Sequence, residues 1–201
     1  MYAERGFSLI ELLAVIFVSA LLLAGLTGFY LSEQRALRHH QVAIETSQEL
    51  RSGLEQVSRD LRSARKDLSL RAAPVFVTAT QSAVEFQVDA NDDGAVTANK
   101  TDEHKGFQLS GTSLQTCDPD GSGRCTWSTL ADFVQALSFH YWGCSVNGTT
   151  LTDLGTSVTG ANLAKIKEVS ISIAMNRPTV GGLPETRTES DTVQLRNVRC
   201  K

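Results

Sequence analysis

Charge is almost missing from one stretch of this 201-residue chain: from Phe7 to Leu31 the only acidic or basic side chain is Glu11. A bilayer core of about 30 Å needs roughly 20 helical residues to cross, so the stretch is long enough to span. It is too long for the apolar core of an ordinary secretion signal, and no Ala-x-Ala-like cleavage site follows it. The chain is therefore expected to stay attached to a membrane, at least at first. From Ser32 to Leu68 there is no proline and only one glycine, Gly53, so little there would break a helix. No cysteine precedes Cys117. A strongly basic block is missing too. Residues 1–31 set Arg5 against Glu4 and Glu11, residues 32–71 are slightly basic, the rest is acidic, and the net charge is −3. That pattern argues against nucleic acid as the main partner.

Catalytic signatures are also absent. There is no Gly-x-Ser-x-Gly, His-Glu-x-x-His, phosphate loop or dinucleotide fingerprint. His104 and His140 stand apart from any nucleophile in sequence, and no enzymatic activity is expected.

What is present begins with helical periodicity. Beyond Leu31, apolar residues fall at Leu37, Ile44, Leu50, Leu54, Val57, Leu61, Ala64 and Leu68, and from Leu50 onward the alternating steps of four and three keep one stripe on one helix face. Glu55 and Arg59 are spaced for a weak supporting pair on the polar face. The pattern predicts one helix from about Phe7 to Leu68, apolar all round in its first half and amphipathic in its second.

After Ala73-Pro74 the texture changes to alternating segments at Ala83–Val88, Gly106–Leu114, Phe133–Trp142, Glu168–Met175 and Thr192–Val198. Turn-rich stretches separate them: Asn91–Gly94, Asp118–Gly121 and the Gly/Ser/Thr/Asn-rich Ser145–Asn162. A sheet with one buried face needs a partner, and the helical stripe supplies it. The expected class is α+β, a long N-terminal helix packed on a C-terminal antiparallel β-rich head.

The segment Gly6-Phe7-Ser8-Leu9-Ile10-Glu11-Leu12-Leu13 is the most specific signal. A short polar leader ends in glycine, and an apolar helix with one acid near its start follows. A carboxylate near the centre of a membrane helix costs about 2.5–3.5 kcal/mol on insertion scales, so Glu11 calls for a partner. Cleavage after Gly6 would create one, the α-amino group of Phe7.

This segment resembles the signature of type IV prepilins and type II secretion pseudopilins, with the close match running from about Gly6 to Leu31. The resemblance implies cleavage after Gly6 by a dedicated membrane prepilin peptidase, N-methylation of Phe7, and a role for Glu11 in assembly. It divides the chain into a leader (1–6), a transmembrane and filament-core helix (7–31), an amphipathic continuation (32–73) and an exported β-rich head (74–201). Ala20, Ala24 and Gly28 form a small-xxx-small row suited to close helix packing, although small residues are common in membrane helices anyway. Many major pilins carry proline where this chain has Gly28, so any loosening of the helix must rest on Gly25 and Gly28. The length, the Asp60-Leu61-Arg62 helix end and the Ile166–Ile173 strand look more like the larger minor pilins of the PilW type, or pseudopilin J. The implied function is a minor pilin that helps start or cap a type IV pilus. The alternatives are a pseudopilin of a type II secretion system and a single-span membrane protein whose exported head binds a ligand without polymerising. Implied partners are the peptidase, other major and minor pilins, an inner-membrane assembly platform, and membrane lipid before assembly. The implied location is the bacterial inner membrane as a single-pass precursor with an exported head, then a filament base or tip in the periplasm or on the cell surface.

With an export segment in front, Cys117, Cys125, Cys144 and Cys200 read as two disulfides. Four cysteines allow three connectivities. Cys117–Cys125 and Cys144–Cys200 are preferred, the first closing a short polar loop and the second pinning the last strand.

No cofactor is expected. Asp89, Asn91 and Asp93 before Gly94 match the first half of a calcium loop, but the closing position holds Lys100, and a polar hairpin turn is favoured. A polar turn is likewise favoured for Asp118, Asp120 and Ser122. His39 and His40 point in different directions on a helix and do not suggest a metal site. Asn147 is read as part of a loop.

Overall fold

The computed structural model describes residues 8–64, 75–88, 103–119, 125–145, 150–179 and 183–195. One helix, α1 (Leu9–Ser63), runs unbroken through Gly25, Gly28 and Gly53. At 1.5 Å per residue it is about 80 Å long. Ser8 caps its start and Ala64 its end, where the Ala64 amide donates to the carbonyls of Asp60 and Leu61. Phe7 and residues 65–68, where the predicted helix extended further, lie outside the described residues.

Nine described strands follow, in two antiparallel sheets. The first is a meander in chain order: β1 (Phe76–Ala79), β2 (Ala83–Gln87), β3 (His104–Ser110), β4 (Ser113–Pro119) and β5 (Cys125–Ala131). The second contains β6 (Val134–Cys144), β7 (Leu151–Gly155), β8 (Ile166–Arg177) and β9 (Glu185–Gln194), in the order β7-β6-β8-β9. A short 3-10 turn, Gly160–Lys165, leads into β8.

The sheets share one core, because strands such as β2, β6 and β8 send alternate apolar residues inward. Val84, Phe86 and Phe107 from the first sheet are buried with Phe139, Tyr141, Val169, Ile171, Ile173 and Val193 from the second. Phe76 packs edge-on against Tyr141 at 6.3 Å and tilted against Phe86 at 6.1 Å. Backbone bonds from Phe139 N–H to Gln81 O and from Val158 N–H to Ala79 O tie the sheets together. The buried Tyr141 hydroxyl donates to Thr80 O at 2.9 Å, and desolvation pushes its pKa up.

Helix α1 covers this core with Leu50, Leu54, Val57, Leu61 and Ala64, packing mainly on β8 and β9 and also reaching β5. The predicted stripe is thus buried from Leu50 to Ala64, while Leu68 lies outside the described residues. Leu37 and Ile44 lie well round the helix from that face, and they are 60% and 57% exposed. Three expectations need correction. Gly106–Leu114 is not one strand but the β3–β4 hairpin, with a two-residue turn whose first residue, Gly111, has φ +62°. The turn-rich Ser145–Asn162 stretch contains β7 and part of the 3-10 turn. Strands β1 and β5 carried no recognised signal.

Candidate functional site

The first half of α1 is not covered by any other described part of the chain. Every residue from Ser8 to Glu33 is exposed, including Leu9, Ile10, Leu12, Leu13, Phe17 and Leu22. The helix is long and apolar enough to cross a membrane. Exposed apolar surface of this extent is unfavourable in water and marks a surface awaiting lipid or protein.

Glu11 lies in the first turn. It occupies the third position after the Ser8 cap, and its Oε2 accepts the Ser8 backbone N–H at 3.2 Å. That contact meets one of the amides a helix start leaves unpaired, and the positive end of the helix dipole favours a carboxylate there. Within one chain Glu11 therefore has a local partner, although its side chain remains exposed. The predicted cleavage residues Gly6 and Phe7 lie outside the described residues. Further along, Thr27 Oγ1 donates to Leu23 O, and Gln34 Nε2 donates to the Tyr30 hydroxyl at 2.6 Å. Gly28 closes the Ala20, Ala24, Gly28 row, and a Cβ placed on it would meet nothing within 4 Å. That small-residue row is open in the single chain.

The second half of α1 is attached to the head by charge as well as by its apolar stripe. His39 lies 4.0 Å from Glu185. Arg177 reaches Glu45 at 3.7 Å and Glu49 at 3.3 Å, and stacks on the Phe133 ring at 5.3 Å. Glu49 also accepts the Asp132 backbone N–H. These contacts hold the β5–β6 corner, where Phe133 has φ 60°, a conformation that bulky side chains rarely adopt. Arg51 pairs with Glu189 at 3.8 Å and Arg62 with Asp191 at 3.1 Å. Exposed pairs of this kind contribute roughly 0–1 kcal/mol each, so the stripe dominates the attachment. Desolvation raises the pKa of Asp60 above its ordinary value, with Lys105 and Arg59 pulling it partly back.

In the head, Cys117 and Cys125 form a disulfide. Cys144 is also disulfide-bonded, and its preferred partner Cys200 lies outside the described residues. The calcium candidates Asp89, Asn91 and Asp93 lie outside them as well, as do Asp120, Ser122, Asn147 and the Asp118 side chain. Sequence spacing did not reveal two clusters. His140 Nε2 lies 2.7 Å from Asp153 Oδ1 beside Trp142. The Gly155 backbone N–H holds the Asp153 carboxyl below its ordinary pKa, opposed by desolvation and helped by His140. Ser170 lies across the strand pair from His140, but its hydroxyl is engaged with Trp142 and Thr192. The second cluster brings His104, Cys117 and Cys125 together on the first sheet, with Glu85 beside His104 at 3.4 Å. Both arise from strand pairings that sequence distance conceals.

Comparisons with known proteins agree with this architecture. Residues 1–27 match the family described as "Prokaryotic N-terminal methylation motif". Residues 39–194 match the family described as "Prepilin peptidase-dependent protein B". No curated protein sequence matches the chain. Among solved structures, a type IV-like pilin from Thermus thermophilus is similar in fold, with a TM-score of 0.52 and 12% identity. The match covers 76% of this chain and 96% of that one. Pilin kinship and a pilin-like fold suggest a structural rather than an enzymatic protein. A methylation-type N-terminus, a long apolar helix and a β-rich head clamped to its second half converge on one assignment: the chain belongs to the prepilin peptidase-dependent protein B family and has the type IV pilin-like fold.

Proposed function

We propose that this protein is a minor pilin that helps start or cap a type IV filament after cleavage between Gly6 and Phe7 and N-methylation of Phe7. The observation that carries this function is the division of α1. Its first half is exposed on every side, while its second half is committed to the head of the same chain. Helix 7–31 would lie in the membrane in the precursor and in a filament core after assembly, with the head facing outward. The partners are then the prepilin peptidase, an inner-membrane assembly platform and other pilins.

Glu11 is assigned the register-setting role. In lipid, or among Leu, Ile and Val side chains of neighbouring helices, an unpaired carboxylate is costly. Among the described residues it accepts the Ser8 amide through one carboxylate oxygen, and a carboxylate can accept further donors. The Phe7 amine appears on cleavage and stays cationic after methylation. Pairing it with Glu11 of another subunit neutralises both charges at one axial stagger, and other registers leave both unpaired.

Intact-mass measurement on protein from the native host tests the processing step. The expected mature chain begins at N-methyl-Phe7, and an uncut chain overturns the proposal. Glu11→Leu tests the assembly step. It is expected to be processed and inserted like the parent, yet to co-purify poorly with its filament partners at equal membrane levels. Equal recovery would show that this subunit assembles without the carboxylate.

A further inference from the structure

Three consecutive strands of the first sheet bring metal-ligating side chains together, His104 on β3, Cys117 on β4 and Cys125 on β5, and Glu85 on the neighbouring β2 adjoins His104. His104 Nε2 lies 3.4 Å from Glu85 Oε2 and 4.0 Å from Cys125 Sγ. The ligand atoms of His104, Cys117 and Cys125 all lie within 4.8 Å of one another. Strand register explains the convergence. Glu85 pairs with Gly106, and Phe107 with Thr116, which places Gly106 beside Cys117. A Cβ on Gly106 would approach Glu85 Cγ to 3.0 Å, Cys117 Cβ to 3.1 Å and Trp127 Cη2 to 3.2 Å. Glycine there leaves the space into which these side chains lean. The spot is also shielded, with His104 at 7% and Cys117 at 1% exposure.

Two thiolates, an imidazole and a carboxylate are a donor set that Zn2+ takes in tetrahedral sites, with Zn–S about 2.3 Å and Zn–N about 2.0–2.1 Å. At those bond lengths neighbouring donors lie roughly 3.3–3.8 Å apart. The His104 distances to Glu85 and Cys125 are already within a few tenths of an ångström of that range. The two sulfurs are bonded to each other, so they can act as separate ligands only once reduced.

We propose that Cys117, Cys125, His104 and Glu85 form a Zn2+ site in the dithiol form of this protein, and that the metal and the disulfide exclude each other. Both cysteines are made as thiols, so the site exists until the sulfur–sulfur bond forms. Forming that bond passes two electrons and two protons to an external disulfide, which is reduced to its dithiol. Binding Zn2+ instead releases the two thiol protons to solvent and leaves both sulfurs reduced. Bound metal would then hold β4 and β5 in register and keep the pair from joining the wrong cysteine before oxidation.

The test uses the full chain in detergent with Cys144→Ser and Cys200→Ser, so that a single cysteine pair remains. The protein is reduced with a phosphine, freed of reductant and titrated with Zn2+ against a competing chelator. One Zn2+ per chain is expected for the reduced form and none for the oxidised form. His104→Ala should weaken binding at least about tenfold, and Glu85→Gln by less. Co2+ should give the visible spectrum of a four-coordinate site with thiolate charge-transfer bands, a readout that survives if His104→Ala misfolds. Absence of binding in the reduced parent, equal binding by the oxidised form, or parent-like affinity in folded His104→Ala would each overturn the proposal; the last result would mean a bare dithiol. None of these outcomes bears on pilin assembly.

Discussion

Leu22 and Leu61 sit on the same helix, yet Leu22 is 65% exposed and Leu61 is completely buried. The difference lies in their surroundings around the helix axis. Near Leu22 the apolar residues go all the way round, so no single sheet could cover them, and none of the described strands does. Near Leu61 they form one stripe, which a two-layer head can cover completely. A helix apolar on every side needs a solvent or a bundle, whereas an amphipathic one needs only a face. The two halves therefore answer different questions, how the subunit is held among others and how it is held together.

The largest test of that contrast is a matched pair of truncations. Leu61→Ala should destabilise the head by about 2–5 kcal/mol, since it opens a cavity beneath the helix. Leu22→Ala should leave head unfolding unchanged. Denaturant unfolding of the detergent-solubilised chain, followed by tryptophan fluorescence, measures both. Equal losses would erase the distinction between the halves.

Arg177→Ala probes the polar part of the attachment. It removes two pairs to the helix and a ring contact at the Phe133 corner, and should cost about 1 kcal/mol in the same assay. Its effect should shrink in high salt, whereas that of Leu61→Ala should not.

Asp60 sharpens the comparison through pH. Its pKa is raised in the fold by desolvation, so its contribution to stability is fully present below its ordinary value of 3.8 and is lost as pH rises through the folded value. Asp60→Asn should therefore melt higher than the parent at pH 7. The gap should close as pH falls below 3.8. A constant gap across that range would assign the effect to packing rather than charge.

Gly28→Ala is expected to have the smallest effect on the head. A Cβ there meets nothing within 4 Å, and alanine favours the helix locally by roughly 0.5–1 kcal/mol. Head melting should not move. If the Ala20, Ala24, Gly28 row packs against another helix, recovery of that variant with its filament partners should fall. A shifted head melting temperature would show that the two halves are coupled.

Much of this molecule is legible in local patterns. An uninterrupted apolar run followed by a stripe at Leu50, Leu54, Val57, Leu61 and Ala64 specifies a long helix with two characters, because helical spacing depends only on the chain itself. The Gly6 to Leu13 motif and the short Cys117–Cys125 loop are equally local. Tertiary structure alone decided where the head begins to cover the helix. It also split Gly106–Leu114 at Gly111 and drew β5 and β7 out of polar sequence, where neighbouring strands supply the hydrogen bonds that composition does not announce. The meeting of Glu85 and His104 with a disulfide was likewise hidden. Strand pairing joins residues through register rather than sequence distance, and register is set by the whole sheet.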